Sequence, residues 1–216
     1  MEGRDYGTRL CRIEGDSFCF GSDGLPSSVG GVDFIKSTRE VGTRFDEVSI
    51  RYALIGGFAM ALRGVQRATV DLDFILMLED LEAADSIFKE LGYERRFKNE
   101  NVSHYLSENQ NPGRIDILHA FRGPSLSMLE RADRIEVAPG LTLPVVQPED
   151  IIGLKVQAAV NDPRRATSDW ADIRMILESS AVILREMDWD LIADYLDVFD
   201  QGEKIHQMRD WYGAAE

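Results

Sequence analysis

The sequence predicts an α+β fold, in which a small mixed β-sheet flanked by helices is followed by a helical C-terminal domain. Up to about residue 147, short apolar strand patterns alternate with helical patterns, and after Pro148 only helical patterns remain. The 216 residues are enough to bury one core and to carry a helical appendage. We therefore expect an N-terminal arm or hairpin over 1–31, an α+β domain over 32–147 and a helical domain over 148–216.

The individual elements follow from local patterns. The helix over 81–91 places an apolar residue at every third or fourth position and ends at Gly92. The turn-rich run ENQNPG separates two short strands, over 104–106 and 114–118. In chain order we expect a helix over 32–47, a strand over 52–55, a helix over 58–62, a strand over 69–77, a helix over 81–91, strands over 104–106, 114–118 and 141–146, and helices over 148–160, 166–179, 189–199 and 203–212.

Composition narrows the classes of function. The formal net charge of -14 disfavours broad, nonspecific binding of nucleic acid but leaves room for a local basic cleft. The chain shows no apolar window of membrane-spanning length, and its N-terminus lacks the layout of a signal peptide. We therefore expect a cytoplasmic protein with no membrane partner. Cys11 and Cys19 could lie close together in a hairpin, and we expect them to be reduced.

Three aspartates stand inside otherwise apolar runs. Asp71 and Asp73 are one residue apart, so alternation along a strand would place both on the same face. Asp116 is a lone charge in a second apolar strand. If the two strands are neighbours, the three carboxylates converge, and Mg²⁺ is the cation that carboxylate oxygens and phosphates bind together. The alternative for Asp71 and Asp73 is a solvated strand face.

Two glycines precede this segment. Gly56 and Gly57 end an apolar strand and begin a helix, where backbone N–H groups are exposed and no Cβ blocks an anion. This pattern indicates a phosphate-binding turn beside the metal site, although a Gly-Gly pair alone is usually only a turn.

Two polar residues lie on apolar helix faces after Pro148. Lys155 lies one turn from Ile151 and from Ala159, and an inward lysine needs an anion, which a nucleoside triphosphate would supply. A snorkelling lysine or an internal salt bridge is the alternative. Asp169 shares a helix face with Ile173, and its alternative is a charge favoured by the helix N-terminus.

The combined pattern resembles the nucleotidyltransferase superfamily typified by DNA polymerase β. The runs Ile55-Gly56-Gly57, Asp71-Leu72-Asp73-Phe74 and Ile115-Asp116-Ile117 are similar to the three parts of its signature. Within it, Arg67-Ala68-Thr69, the segment from Pro148 to Lys155 and Ser168-Asp169 resemble the toxin branch of type IV toxin–antitoxin (abortive infection) systems. Two positions depart from the pattern: Gly57 stands where many members have serine, and Ser168 where a basic residue is usual.

The resemblance implies a fold, a reaction and a set of roles. It implies the nucleotidyltransferase fold and the transfer of a nucleoside monophosphate to a hydroxyl, with release of pyrophosphate. Asp71, Asp73 and Asp116 would be the catalytic, metal-binding residues for two Mg²⁺ ions, with Mn²⁺ as a substitute. Nucleotide- and phosphate-binding roles would fall to Gly56, Gly57, Arg67, Lys155 and Asp169.

The resemblance also implies binding partners. A nucleoside triphosphate such as ATP is the expected donor, and the acceptor is an RNA end such as tRNA, or a protein hydroxyl. An antitoxin partner follows by analogy. The alternative from a different class is a catalytically silent module that keeps the same fold to bind a nucleotide or a partner protein.

Overall fold

The structure is a computed structural model that describes residues 18–20, 26–29, 34–67, 69–110 and 113–215. Near the N-terminus, β1 (Phe18–Phe20) and β2 (Pro26–Val29) pair in antiparallel fashion. Cys19 belongs to β1, whereas Cys11 lies outside the described residues, and so does most of the predicted arm.

Helices and strands alternate in the first part of the described chain. The strands are β3 (Tyr52–Ile55), β4 (Leu72–Met77), β5 (Glu94–Lys98), β6 (Val102–Leu106), β7 (Arg114–Ala120), β8 (Asp133–Ala138) and β9 (Leu141–Val145). The helices between them are α1 (Phe34–Glu47), α2 (Gly56–Leu62), α3 (Leu81–Glu90) and α4 (Gly123–Arg131). After β9 come α5 (Pro148–Asn161), α6 (Ala166–Val182), α7 (Trp189–Val198) and α8 (Ile205–Gly213), with short 3-10 turns at Leu78–Asp80 and Gly202–Lys204.

Strands β3 to β9 form one mixed sheet. Their order is β5-β6-β7-β4-β3-β9-β8, and the pairs β4–β7 and β3–β9 are parallel while the other pairs are antiparallel. The α+β class with a mixed sheet and flanking helices is therefore confirmed. The sheet places β4 at its centre, between β7 and β3, so residues near the start of β4 have neighbours on both sides.

The core explains why the central strands form where they do. All four residues of β3 are buried. In β4 every residue is buried except Asp73 and Met77, which are half-buried. An aromatic cluster links α1 to the sheet, because the Phe45 ring contacts Tyr52, Phe74 and Phe88 edge-on. Edge-to-face contacts of this kind add about 1 kcal/mol each beyond the burial of their area.

Four details of the predicted elements are wrong. The strand expected over 69–77 begins only at Leu72, so Asp71 lies one residue before it, in a bend. Strand β5 and strand β8 were not predicted, and neither was helix α4. All five residues of β5 are exposed, so this edge strand has no apolar alternation for a sequence pattern to detect.

The helices after β9 pack on the same hydrophobic core as the sheet. Ile151 and Ile152 of α5, Ile173 of α6 and Leu196 of α7 are buried together with the residues of β3 and β4. The division into domains at residue 147 stays a prediction. Within the described residues, no helix combines the length and the apolar character that crossing a membrane requires.

Candidate active site

Two of the aspartates face each other across neighbouring parallel strands. Asp73 of β4 and Asp116 of β7 are register partners, and the residues on either side of them pair in the same way. Partners on adjacent strands point to the same face and lie about 4.8 Å apart in the hydrogen-bonding direction. The structure thus brings Asp116 next to Asp73, on one face of the sheet.

Electrostatics join the third aspartate to this pair. Burial raises the pKa of Asp73 to about 7, and the negative charges of Asp116 and Asp71 add to the increase. The cations of Lys155 and Arg114 act in the opposite direction on the same pKa. Burial also raises the pKa of Asp71, with Arg114 opposing and Asp116 reinforcing the shift. Asp71, Asp73 and Asp116 therefore form one coupled group of carboxylates.

The carboxylate of Asp116 is held by two neighbouring side chains. Arg114 donates from Nε to Asp116 Oδ1 at 2.9 Å and from Nη2 to Oδ2 at 2.8 Å, and His104 Nδ1 lies 2.8 Å from Oδ1. The two hydrogen bonds from Arg114 occupy both oxygens of Asp116. Among the described residues, no group of three acidic, histidine or cysteine side chains has the arrangement of a metal site. A guanidinium thus holds the position that a cation would take on Asp116.

Gly56 is required by the closeness of Asp73. Its φ of +66° lies in the left-handed region, and a Cβ at this position would overlap the Asp73 carboxylate at Oδ2. Since Ile55 is the register partner of Asp73, the turn from β3 into α2 passes directly over this carboxylate. The structure therefore places the start of α2 against the Asp73 carboxylate.

A threonine occupies the space above Gly57. A Cβ at Gly57 would lie 2.8 Å from both Cβ and Oγ1 of Thr69, which is too close for a side chain of any size. Thr69 Oγ1 in turn donates to the backbone oxygen of Asp71 at 3.3 Å. The glycine where a serine was expected is thus matched by a hydroxyl that arrives from a different segment. The sequence pattern gave no sign of this pairing.

Lys155 faces inward, and its partners are aspartates of α6. Lys155 Nζ lies 2.9 Å from Asp169 Oδ1 and 2.6 Å from Asp172 Oδ2, and these three residues are 8%, 1% and 2% exposed. Arg67 Nη1 reaches Asp172 Oδ2 at 3.0 Å, and Arg165 Nη2 reaches Asp169 Oδ1 at 3.4 Å. We call these five residues the Lys155 network. It contains three of the predicted nucleotide-site residues and adds Asp172, which shares a helix face with Asp169.

Two carboxylate oxygens of the Lys155 network are buried without a hydrogen bond in the described part of the chain, and one of them, Asp172 Oδ2, has the ion pairs with Lys155 and Arg67. Asp169 Oδ2 is buried without a hydrogen bond among the described residues. A buried carboxylate oxygen without a donor is costly. The positive charge of Lys155 also lowers the pKa of Asp73, so the network acts electrostatically on the carboxylates. Arg63, which directly follows α2, has a structural role, because it donates to the backbone oxygens of Val145 and Val146.

Comparison with known proteins identifies the family and the fold. The model of the family described as "Nucleotidyl transferase AbiEii toxin, Type IV TA system" matches residues 44–210. A search of curated proteins gave no match.

Among solved structures, the solution structure of the antibiotic-resistance factor ANT(2″)-Ia has a TM-score of 0.59 and 16% identity, over 80% of this chain and 96% of that one. A crystal structure of ANT(2″)-Ia in complex with adenylyl-2″-tobramycin has a TM-score of 0.54 and 15% identity, over 83% and 97%. A candidate nucleotidyltransferase from Thermotoga maritima has a TM-score of 0.50 and 14% identity, over 64% and 92%. At these identities the likeness shows a shared fold.

Proposed function

We propose that this chain, which belongs to the family of nucleotidyl transferase AbiEii toxins of type IV toxin–antitoxin systems, moves a nucleoside monophosphate from a nucleoside triphosphate to a hydroxyl. The observation that carries the proposal is the pairing of Asp73 with Asp116 beside the glycine turn at Gly56. The acceptor oxygen bonds to the α-phosphorus while the bond from that phosphorus to the bridging oxygen breaks. Pyrophosphate leaves, and Asp116 takes the hydroxyl proton.

The three carboxylates of the candidate site have the chemistry that divalent cations bind. Asp71, Asp73 and Asp116 offer oxygen ligands, and their mutual repulsion is what a cation between them would relieve. The fork of Arg114 on Asp116 shows that this position favours positive charge. These three residues would hold two Mg²⁺ ions, or Mn²⁺ in their place. When bound, the ions supply charge neutralisation at the phosphates and a lowered pKa at the acceptor hydroxyl.

The nucleotide would lie on the side of Asp73 that faces away from Asp116, toward the glycine turn. Its phosphates would meet the backbone N–H groups at the start of α2, beside Asp73 and Thr69, which fill the space that a side chain at Gly56 or Gly57 would need. In this proposal Lys155 and Arg67 supply positive charge through the Lys155 network. Asp169 Oδ2, buried without a donor, is the acceptor that we assign to an N–H or O–H group of the nucleotide.

The acceptor and the biological role are separate proposals, which depend on the nucleotidyl transfer proposed above. An RNA end such as tRNA, or a protein hydroxyl, fits the toxin family, and an antitoxin would be the partner that restrains the activity in the cytoplasm. The ANT(2″)-Ia complex was solved with adenylyl-2″-tobramycin. A small-molecule acceptor is therefore the competing possibility for the reaction.

One observation favours a module without activity on the same fold. Both oxygens of Asp116 are engaged by Arg114, which would also be the arrangement of a site that never binds metal. In a silent module, nucleotide would bind without any release of pyrophosphate.

The test is pyrophosphate release from each of the four common nucleoside triphosphates, with Mg²⁺, in the presence of total RNA. We expect release by the unaltered protein and a loss of at least about 100-fold in Asp71→Asn and in Asp73→Asn, because these carboxylates would position charge at the reacting phosphate. Asp190→Asn, an exposed carboxylate on α7, is the matched control and should keep full activity. Nucleotide binding without release in any condition would favour the silent module.

A further inference from the structure

A row of side chains crosses five strands on the face that carries the carboxylates. The register pairs Phe97 of β5 with His104 of β6, His104 with Asp116 of β7, Asp116 with Asp73 of β4, and Asp73 with Ile55 of β3. Because register partners share a face, the row runs from the glycine turn, through the carboxylates, to the edge of the sheet. Its far end, at Phe97 and His104, has no part in the function proposed so far.

A β-bulge puts Phe97 on this face. Arg95 pairs with the buried Tyr105, and the register then shifts, so that Phe97 pairs with His104 and Arg96 is the extra residue. In an unbroken strand, Phe97 would share the face of Arg95 and lie on the buried side of the sheet. Bulges are frequent beside active sites, where they redirect a side chain.

The result is an open aromatic surface beside Asp116. The rings of Phe97 and His104 stack with centroids 5.2 Å apart and planes 23° from parallel, and His104 Nδ1 contacts Asp116 Oδ1. Phe97 is 46% exposed, and Leu106, two residues beyond His104 on the same face, is 41% exposed. We call Phe97 and His104 the aromatic platform. Exposed apolar side chains grouped in this way indicate a binding surface.

The charged groups around the aromatic platform are paired with one another, which disfavours a polycationic partner. Asp116 is paired with Arg114, and Glu94, the register partner of Leu106, is paired with Arg96 at 2.9 Å. A polycationic acceptor would need free carboxylates at this place, whereas these carboxylates are already neutralised.

We propose that the aromatic platform is the acceptor subsite and that it takes the terminal nucleobase of an RNA 3′ end. This rests on the proposed nucleotidyl transfer. The platform lies on the Asp116 side of the row, away from the phosphates at Gly56, where an attacking group must enter for in-line displacement. His104 is one strand spacing, about 4.8 Å, from Asp116. A base stacked there holds its own ribose hydroxyl at Asp116, where the new bond to the α-phosphorus forms, the bond to pyrophosphate breaks and the proton leaves to Asp116.

The first test measures binding without transfer. A short oligoribonucleotide carries 2-aminopurine at its 3′ end, and stacking on the platform quenches its fluorescence. We expect quenching by the unaltered protein and by Phe97→Trp, and binding weakened about 10-fold in Phe97→Ala, since one base–aromatic stack is lost. Val182→Ala removes another exposed apolar side chain, on α6, and should behave like the unaltered protein. Equal quenching by Phe97→Ala would overturn the subsite.

The second test measures transfer and separates the base from the hydroxyl. Labelled nucleoside triphosphate and Mg²⁺ are supplied with an intact RNA end or with the same end lacking its last base but keeping its ribose hydroxyls. We expect about a 10-fold loss in kcat/KM for the baseless end, the same loss for Phe97→Ala on the intact end, and an unchanged KM for the nucleoside triphosphate. Label found only on protein, or equal use of both ends, would overturn the proposal.

The two tests keep this proposal apart from the proposed function. Transfer that is indifferent to Phe97 would remove the subsite and leave nucleotidyl transfer standing. Quenching that depends on Phe97, in a protein that transfers nothing to any acceptor, would support the subsite as an RNA-binding surface and count against the enzyme.

Discussion

Asp73 is the residue at which stability and function oppose each other most directly. Its carboxylate is flanked by Asp116 on the neighbouring strand, lies against the turn at Gly56, and has a pKa raised to about 7. Keeping an ionised carboxylate there costs folding free energy unless a cation is bound. Groups held in this way are typical of functional sites.

The first prediction concerns the charge of Asp73. In the unfolded chain this carboxyl ionises near pH 3.8, and in the folded protein near pH 7. As pH rises between these values, the unfolded state loses a proton that the folded state keeps, so the free energy of unfolding falls. Asp73→Asn removes this penalty. It should stabilise the metal-free protein by up to about 4 kcal/mol above pH 7 and by little near pH 4, as measured by urea unfolding.

A control variant and the addition of Mg²⁺ both test this prediction. Asp190→Asn should show no such pH dependence, because that carboxylate is exposed. Adding Mg²⁺ should stabilise the unaltered protein above pH 7 and leave Asp73→Asn nearly unchanged. A variant that is less stable than the unaltered protein at pH 8 without metal would contradict the assignment of Asp73 as a strained carboxylate.

The second prediction concerns Gly56 and uses Gly140 as its control. Both glycines have positive φ, +66° and +71°, but a Cβ at Gly140 would meet nothing within 4 Å, whereas one at Gly56 would overlap Asp73. Alanine at either position should cost about 1–2 kcal/mol from the backbone alone. Gly56→Ala should cost about 1–3 kcal/mol more and abolish transfer, and Gly140→Ala should stay active. Equal effects in thermal unfolding would refute the close approach.

At the scale of elements, the strands that carry the carboxylates could be predicted, and the edge strand could not. Strand β3 is an unbroken apolar run, and β4 and β7 are apolar runs interrupted by single polar residues, which is the pattern of buried strands. Strand β5 reads ERRFK, with every residue exposed, so neither alternation nor apolar content marks it. Helix α4 opens with Gly-Pro, which is equally typical of a turn. The aromatic platform therefore lay beyond sequence reasoning, because a bulge in an unpredicted strand creates it.

The contact between α5 and α6 shows what a helix pattern can and cannot predict. The sequence predicted that Lys155 points inward and that Asp169 and Asp172 share one face. It left open whether the anion that Lys155 meets is a ligand or the protein itself. The structure pairs Lys155 with both aspartates. Periodicity fixes the face of one helix, and the angle between two helices decides which faces meet.

The third prediction tests the Lys155 network. Lys155→Met leaves two buried aspartates without their shared cation and should destabilise the protein by about 3–5 kcal/mol. Combining it with Asp169→Asn and Asp172→Asn should recover a large part of that loss, because no charge then stays buried and unpaired. Chemical denaturation of the single and triple variants measures this. If Lys155→Met is as stable as the unaltered protein, the lysine is held for a ligand and not for the fold.

At the scale of the whole molecule, the sheet and the C-terminal helices share one core. The three tryptophans, Trp170, Trp189 and Trp211, all lie after Pro148, whereas the carboxylate group lies in the sheet. Tryptophan fluorescence therefore reports on the helices alone. Because Lys155 of α5 acts on Asp73 of β4, the two parts are also coupled electrostatically.

The fourth prediction follows from this arrangement. Unfolding followed by tryptophan fluorescence and by far-ultraviolet circular dichroism should give the same midpoint, since a shared core unfolds cooperatively. Mg²⁺ with a nucleoside triphosphate should raise both midpoints equally, although the carboxylates that would hold the metal lie at the sheet. Two separate transitions, with only the dichroism responding to ligand, would show that residues 148–216 are an independent domain.

Each member of the row from Ile55 to Phe97 stands on a different strand, so the spacing between the groups is a property of interstrand hydrogen bonds. Inserting one residue early in β4 or β7 would turn Asp73 or Asp116 toward the buried side and destroy the group at once. Lengthening a connecting loop would leave it untouched. We therefore expect homologues to differ in the lengths of their loops and to have no insertions or deletions within these strands.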